Sequence, residues 1–228
     1  MVPDRDSLTR NGAILWGEVS PTHSADPPAF KSQLFERGTL IYSDDFDHEF
    51  NRERWGAPKK SNQIKDGKLV VTAQFKSREE AMKSLKRDHH LGLVPIVHIN
   101  RIPEAFVCHL RYKFDTENLT PGRPSFQIGR HMIGLNYVEG GGHRIKLPDG
   151  PTFTESESGM KLGEWIDLVI KYKKGEIRIG VNGHSKTYKD DAVTIINEKD
   201  KQGPRFSFKG GPNCQLVCDS VRLWNCEE

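Results

Sequence analysis

The stretch Phe-Val-Cys-His-Leu-Arg-Tyr-Lys-Phe at 106–114 limits the fold more than any other. Phe106, Cys108, Leu110, Tyr112 and Phe114 fall on one side of an extended chain, and Val107, His109, Arg111 and Lys113 on the other. On a helix this order would scatter the apolar groups around the axis. On a strand it gives one buried face and one polar face. The pattern predicts a strand that covers a core on one side only, as antiparallel sheets do.

The same period returns along the chain. A strand opens at 39–46. Residues 62–74 read as strand, Asp66-Gly67 turn, strand, which is a hairpin signal. Segments 125–129, 131–138 and 143–147 continue the series, with Gly140–Gly142 and Asp149-Gly150 as turns. Between 164 and 183, Ile166, Leu168, Ile170 and Tyr172 alternate. Lys174-Gly175 turns the chain, Ile177, Ile179 and Val181 alternate back, and Asn182-Gly183 turns it again. Strands at 204–210 and 215–224 close the sequence, and 77–87 is the one helix candidate. Many short strands between turn signals predict an all-β antiparallel sandwich or barrel. Residues 1–38 differ: Pro21, Pro27 and Pro28 disfavour regular structure. They read as an N-terminal arm, in which 13–16 (Ala-Ile-Leu-Trp) forms a short strand or an anchor. The domain proper is 39–228.

Charge excludes some functions. With 34 basic and 31 acidic residues the net charge is +3, and no basic stripe of the nucleic-acid-binding kind stands out. The densest basic run, 76–90, is broken by Glu79, Glu80 and Asp88 and reads as a solvated helix or loop. No apolar run reaches the roughly 18–20 residues of a membrane span, and the N-terminus lacks the pattern of an intact signal peptide. The four cysteines, Cys108, Cys214, Cys218 and Cys226, contain no Cys-x-x-Cys pair. Along one straight strand Cys214 and Cys218 would stand about 13 Å apart, beyond the roughly 7 Å limit for disulfide Cα atoms. Buried free thiols are the expectation, with a Cys214–Cys226 bridge left open.

The stretches 40–56 (LIYSDDFDHEFNRERWG), 64–71 (IKDGKLVV), 163–183 (GEWIDLVIKYKKGEIRIGVNG) and 217–224 (VCDSVRLW) fall in a characteristic order. Together they resemble the concanavalin A-like lectin/glucanase jelly rolls. Nearest are the 3-keto-disaccharide hydrolase-like, or glycoside-hydrolase-16-like, domains. The resemblance covers about residues 39–226. It implies two curved antiparallel sheets with any ligand groove on the concave one, a polysaccharide or oligosaccharide partner, and a secreted or periplasmic setting. It also implies a structural calcium ion beside the first and last strands, to which Asp44, Asp45 and Asp219 would contribute. No other cofactor is required. Glucanases of the family carry an E-x-D-x-x-E strand, which this sequence lacks. Glu155 and Glu157 are a poor substitute on a loop-like segment.

Candidate site residues follow from the polar faces. If 106–114 and 125–129 pair, His109, Arg111, Gln127 and His131 share a face. Cations and an amide neutralise a sugar carboxylate, and a histidine removes the proton beside it. The resemblance extends this to a 3-keto-glycoside hydrolase or polysaccharide-lyase-like activity. Lys113, Arg130, Tyr137 and His143 are the matching substrate-binding candidates. The alternative is a solvated outer face on a non-catalytic carbohydrate-binding or structural module. A histidine metal site drawn from His89, His90, His98, His109, His131 and His143 is weaker, because no metal-type spacing occurs. Trp55, Trp165, Tyr137 and Tyr172 suit either sugar stacking or packing, and packing is favoured for the tryptophans. Asn118-Leu119-Thr120 matches a glycosylation sequon.

Overall fold

The computed structural model describes residues 30, 32, 34–57, 59–88, 90–116, 124–138, 140–147, 149–211 and 213–227. The first elements are β1 (Arg37–Asp44), α1 (Arg52–Trp55), β2 (Asn62–Lys65), β3 (Lys68–Val71) and α2 (Arg78–Leu85). There follow β4 (Ile96–Ile99), β5 (Phe106–Thr116), β6 (Ser125–Ile128), β7 (Ile133–Val138), β8 (Gly142–Lys146) and β9 (Thr152–Glu155). Last come β10 (Ile166–Lys173), β11 (Glu176–Val181), β12 (His184–Lys189), β13 (Phe206–Lys209) and β14 (Cys214–Glu227).

The strands form two antiparallel sheets. Sheet A has eight strands in the order β12-β11-β10-β5-β14-β3-β2, with β1 also on β14. Sheet B has six in the order β4-β13-β6-β7-β8-β9. The long β14 is the spine of sheet A. One of its edges pairs with β5; the other is shared between β3, opposite 216–218, and β1, opposite 221–227.

The alternation of 106–114 does what period two requires. Phe106, Cys108, Leu110, Tyr112 and Phe114 are buried between the sheets. They meet Phe126, Phe206 and Phe208 from sheet B. Ring centroids lie 5.2 Å apart for Phe106–Phe206, 5.2 Å for Tyr112–Phe208 and 4.6 Å for Phe126–Phe208. Edge-to-face pairs of this kind add about 0.5–1.5 kcal/mol each beyond the burial of their area. The first two pairs join the two layers at the centre, and Phe126–Phe208 links β6 to β13 within sheet B.

The helix expected at 77–87 is α2, capped by the Ser77 hydroxyl accepting from Glu80 N. The alternation did not disclose α1, β4, β9 or β12. In β12 only Tyr188 is buried, so the edge strand shows no apolar period. One pairing is corrected. β5 does not pair with β6: its neighbours are β10 and β14, and those of β6 are β13 and β7. From the arm, Phe30, Leu34 and Phe35 pack on Val107, Trp224 and Cys226 on the outer side of sheet A. The expected 13–16 strand or anchor, His89 and the 118–120 sequon lie outside the described residues.

Candidate functional site

The two sheets separate the residues expected to act together. His109, Arg111 and Lys113 project from the outer face of sheet A. His109 Nε2 stands 3.6 Å from Asp167 Oδ1, and Arg111 bonds Asp167 at 3.0 Å and Asp219 at 3.3 Å. Arg111 and Lys113 both lie over the Trp165 ring, 5.3 and 5.5 Å from its centroid. Gln127 projects from the outer face of sheet B, on the opposite side of the sandwich, because its neighbours Phe126 and Ile128 point into the core. β6 ends at Ile128. His131 therefore lies beyond it in the β6–β7 turn, where Gly129 and His131 have φ of 68° and 61°. The same-face expectation for His109, Arg111, Gln127 and His131 fails on both counts.

The substrate-binding candidates are also dispersed. Lys113 is on sheet A. Arg130 is in the β6–β7 turn, paired with Asp200 at 2.9 Å. Tyr137 and His143 face the interior of the sandwich and are buried.

The three carboxylates expected at a calcium ion are engaged with protein groups. Asp44 is buried and accepts from the Tyr42 hydroxyl, from Trp55 Nε1 at 3.1 Å and from Phe46 N at 2.9 Å. Burial, followed by Asp44, raises the Tyr42 phenol. Asp45 is held by Arg222 at 2.6 and 2.7 Å, and Asp219 lies between Lys68 and Arg111. Each carboxylate already meets protein donors. Among the described residues no group of three or more His, Cys, Asp and Glu could hold a metal ion.

Trp55, with its indole N–H also donating to the Tyr42 hydroxyl at 2.6 Å, and Tyr172 are core residues, while Trp165 is half-buried on sheet A. Trp224 packs against Phe30 of the arm. All four cysteines are buried and free, so the Cys214–Cys226 bridge does not form.

What sheet B does assemble is a polar grid. Its outer face carries two rows across the strands. The first is His98, Ser207, Gln127, Gly134, Lys146 and Thr152; the second is Ile96, Lys209, Ser125, Asn136, Arg144 and Thr154. Ser207 and Ser125 are only 5% and 6% exposed although they point away from the core. His98 Nδ1 lies 2.8 Å from the Ser207 hydroxyl. Burial, then the charges of Arg205, Lys59, Arg130 and His131, lower the His98 pKa to about 4, so its imidazole is neutral at pH 7.

The 197–205 loop helps to position these cations. Asp200 takes Arg130, Asn197 Nδ2 donates to the Arg130 carbonyl at 3.1 Å, and Arg205 donates to Gln202 at 2.9 Å. No strand residue in the two rows is an Asp or Glu, and the outward positions of β7 are Gly134, Asn136 and Val138. The sequence names His98 only within the weak histidine metal set and does not single out Ser207. The signal was present in Phe-Ser-Phe at 206–208 and Val-His-Ile at 97–99, where a polar residue stands between two core residues.

No protein-family model and no curated protein matches the chain. Solved structures do match. SCLam, a non-specific endo-beta-1,3(4)-glucanase of family GH16, superposes with a TM-score of 0.54 at 13% identity, over 89% of this chain and 95% of that one. The endo-1,3-beta-glucanase (laminarinase) catalytic domain of Thermotoga petrophila RKU-1 gives 0.53 at 11%, over 84% and 99%. The kappa-carrageenase of Pseudoalteromonas carrageenovora, in complex with a kappa-carrageenan oligotetrasaccharide, gives 0.52 at 11%, over 88% and 99%. The fold is the concanavalin A-like jelly roll that these GH16 proteins share.

Proposed function

We propose that the protein is carbohydrate-directed and binds acidic glycans, without hydrolysing them, on the outer face of sheet B. The observation that carries this is the row His98, Ser207 and Gln127, within the field of Arg205, Lys59, Arg130 and His131, on strands that offer no carboxylate to the surface. Neutral donors and acceptors suit sugar hydroxyls. The surrounding cations suit a uronate or sulfate. Retaining hydrolysis needs two carboxyl groups about 5 Å apart, and the outward side chains of these strands supply neither. The structural neighbours, which act on or hold glycans, support the carbohydrate direction.

A second reading keeps catalysis. His98, neutral at pH 7, is a proton acceptor in one row with Gln127, across Ser207, and near a set of cations, the combination that elimination from a uronate requires. One panel separates the two. Titration calorimetry on uronate and sulfated oligosaccharides against neutral glucans is run beside assays for new reducing ends and for unsaturated products. Binding that favours the acidic members and weakens with salt, with no turnover, supports the binding reading. Unsaturated products lost in His98→Ala would establish the second. Equal binding of neutral glucans, or new reducing ends without unsaturation, would overturn both.

A further inference from the structure

A second polar recess lies at the edge of the sandwich, away from the sheet B face. It is bounded by His143 of β8, Glu155 of β9, Ser158 of the following loop, Ile179 of β11, and His184 and Lys186 of β12, and has a volume of about 230 Å³. His143 and Ile179 point between the sheets, where this fold otherwise packs apolar groups. His143 is 2% exposed and Ser158 1%. His143 Nε2 lies 3.2 Å from the Tyr188 hydroxyl, which leaves Nδ1 without a protein partner; Ser158 Oγ also has none. Buried polar atoms are ordinarily hydrogen-bonded, and each unsatisfied one is costly. At the mouth, Lys186 pairs with Glu155 at 2.9 Å, and Glu157 and His184 are exposed.

We propose that this recess is a binding site for one neutral, polyhydroxylated ring or small polyol, held by His143 Nδ1, Ser158 Oγ and the Glu155–Lys186 pair. The size fits: 230 Å³ is below the roughly 300–1,000 Å³ of sites for drug-sized ligands. The charge pattern selects against ions. An anion would meet Glu155 and Glu157, and a cation would meet Lys186. The imidazole is neutral at pH 7, since burial lowers its pKa to about 4. It therefore offers a donor or an acceptor, as the tautomer requires, and a hydroxyl satisfies either. The site is independent of the reading given for sheet B.

The test is titration of the 228-residue chain with methyl hexosides and with glucuronate, followed by the imidazole ¹⁵N–¹H correlations of His143. Millimolar methyl hexosides are expected to shift the His143 signals, and glucuronate is not. Ser158→Ala is expected to weaken binding roughly threefold to tenfold, the loss of one hydrogen bond. Lys186→Met, exposed and safe for folding, is expected to do the same. His98→Ala on the other face should leave the titration unchanged, which keeps this result distinct from the fate of the sheet B reading. Unmoved His143 signals with every hexoside, or equal shifts in Ser158→Ala and Lys186→Met, would overturn the proposal and leave the recess to ordered water.

Discussion

The imidazole Nδ1 of His98 lies 2.8 Å from the hydroxyl of Ser207, on the adjacent strand and the same face of sheet B. His98 and His143, on opposite sides of the same sheet, are both lowered to about 4 from the ordinary 6.5, chiefly by burial. Between those limits the unfolded chain takes up protons that the folded chain refuses. Stability is therefore fully present above pH 6.5 and falls as the pH drops toward 4. The two together cost on the order of a few kcal/mol by the lower limit. Urea midpoints across this window should fall steeply for the parent. They should fall less for a His98→Gln/His143→Gln double variant.

The faces of the sandwich should behave independently in glycan binding. Arg205→Ala and Gln127→Ala, on or beside the sheet B grid, should each weaken binding of an acidic oligosaccharide, the arginine by roughly tenfold or more. Arg111→Ala, already neutralised by Asp167 and Asp219 on sheet A, should leave the affinity unchanged. Titration calorimetry at two salt concentrations reads both, and an equal loss from Arg111→Ala would contradict the assignment of the face.

Asp44 and Asp45 are adjacent but should differ in what they contribute. Asp44→Ala strands the Tyr42 O–H proton and the Phe46 amide in the core and leaves the Trp55 indole N–H with the Tyr42 oxygen alone, and should cost about 3–5 kcal/mol. Asp45→Ala breaks an ion pair whose acidic side is exposed and should cost no more than about 1 kcal/mol. Thermal unfolding checks both, and adding a chelator should leave the parent midpoint where it is.

Gly129 ends the strand that carries Gln127. With φ at 68° and the Ile195 carbonyl oxygen 2.6 Å from where a Cβ would stand, Gly129→Ala has neither the conformation nor the room. It should destabilise by about 2 kcal/mol or more and move Arg130 and His131. Denaturant midpoints measure the first effect and acidic-glycan affinity the second.

The thiols should be silent until the chain unfolds. Burial pushes Cys214 and Cys226 to about 11, and raises Cys108 and Cys218 as well. A thiol-reactive chromophore should find almost none of the four in native protein and all four in denaturant. Fewer than four after unfolding without reductant would reveal a bridge.

The sandwich was legible because nearly every central strand has one wet side, and alternation reports that directly, as at Phe106–Phe114. Three edge strands, β4, β9 and β12, were not. β12 buries little beyond Tyr188, and β4 has exposed Ile96 on its outer side, which hides the alternation of Val97 and Ile99. The site was misread for a different reason. Facing within a strand is local, but strand pairing depends on the whole topology. Gln127 was rightly placed outward, then assigned to the wrong sheet. The chemistry it does join, His98 and Ser207, comes from strands distant in sequence, and only the register of β4, β13 and β6 brings it together.

The central place of β14 has a consequence for the birth of the molecule. The β2–β3 hairpin and β1 reach sheet A only through this last strand. During synthesis they must wait, edges open, while some 140 intervening residues leave the ribosome. The nascent chain therefore exposes adhesive backbone until β14 emerges, and a chaperone that shields strand edges should raise its yield more than one that only slows collapse.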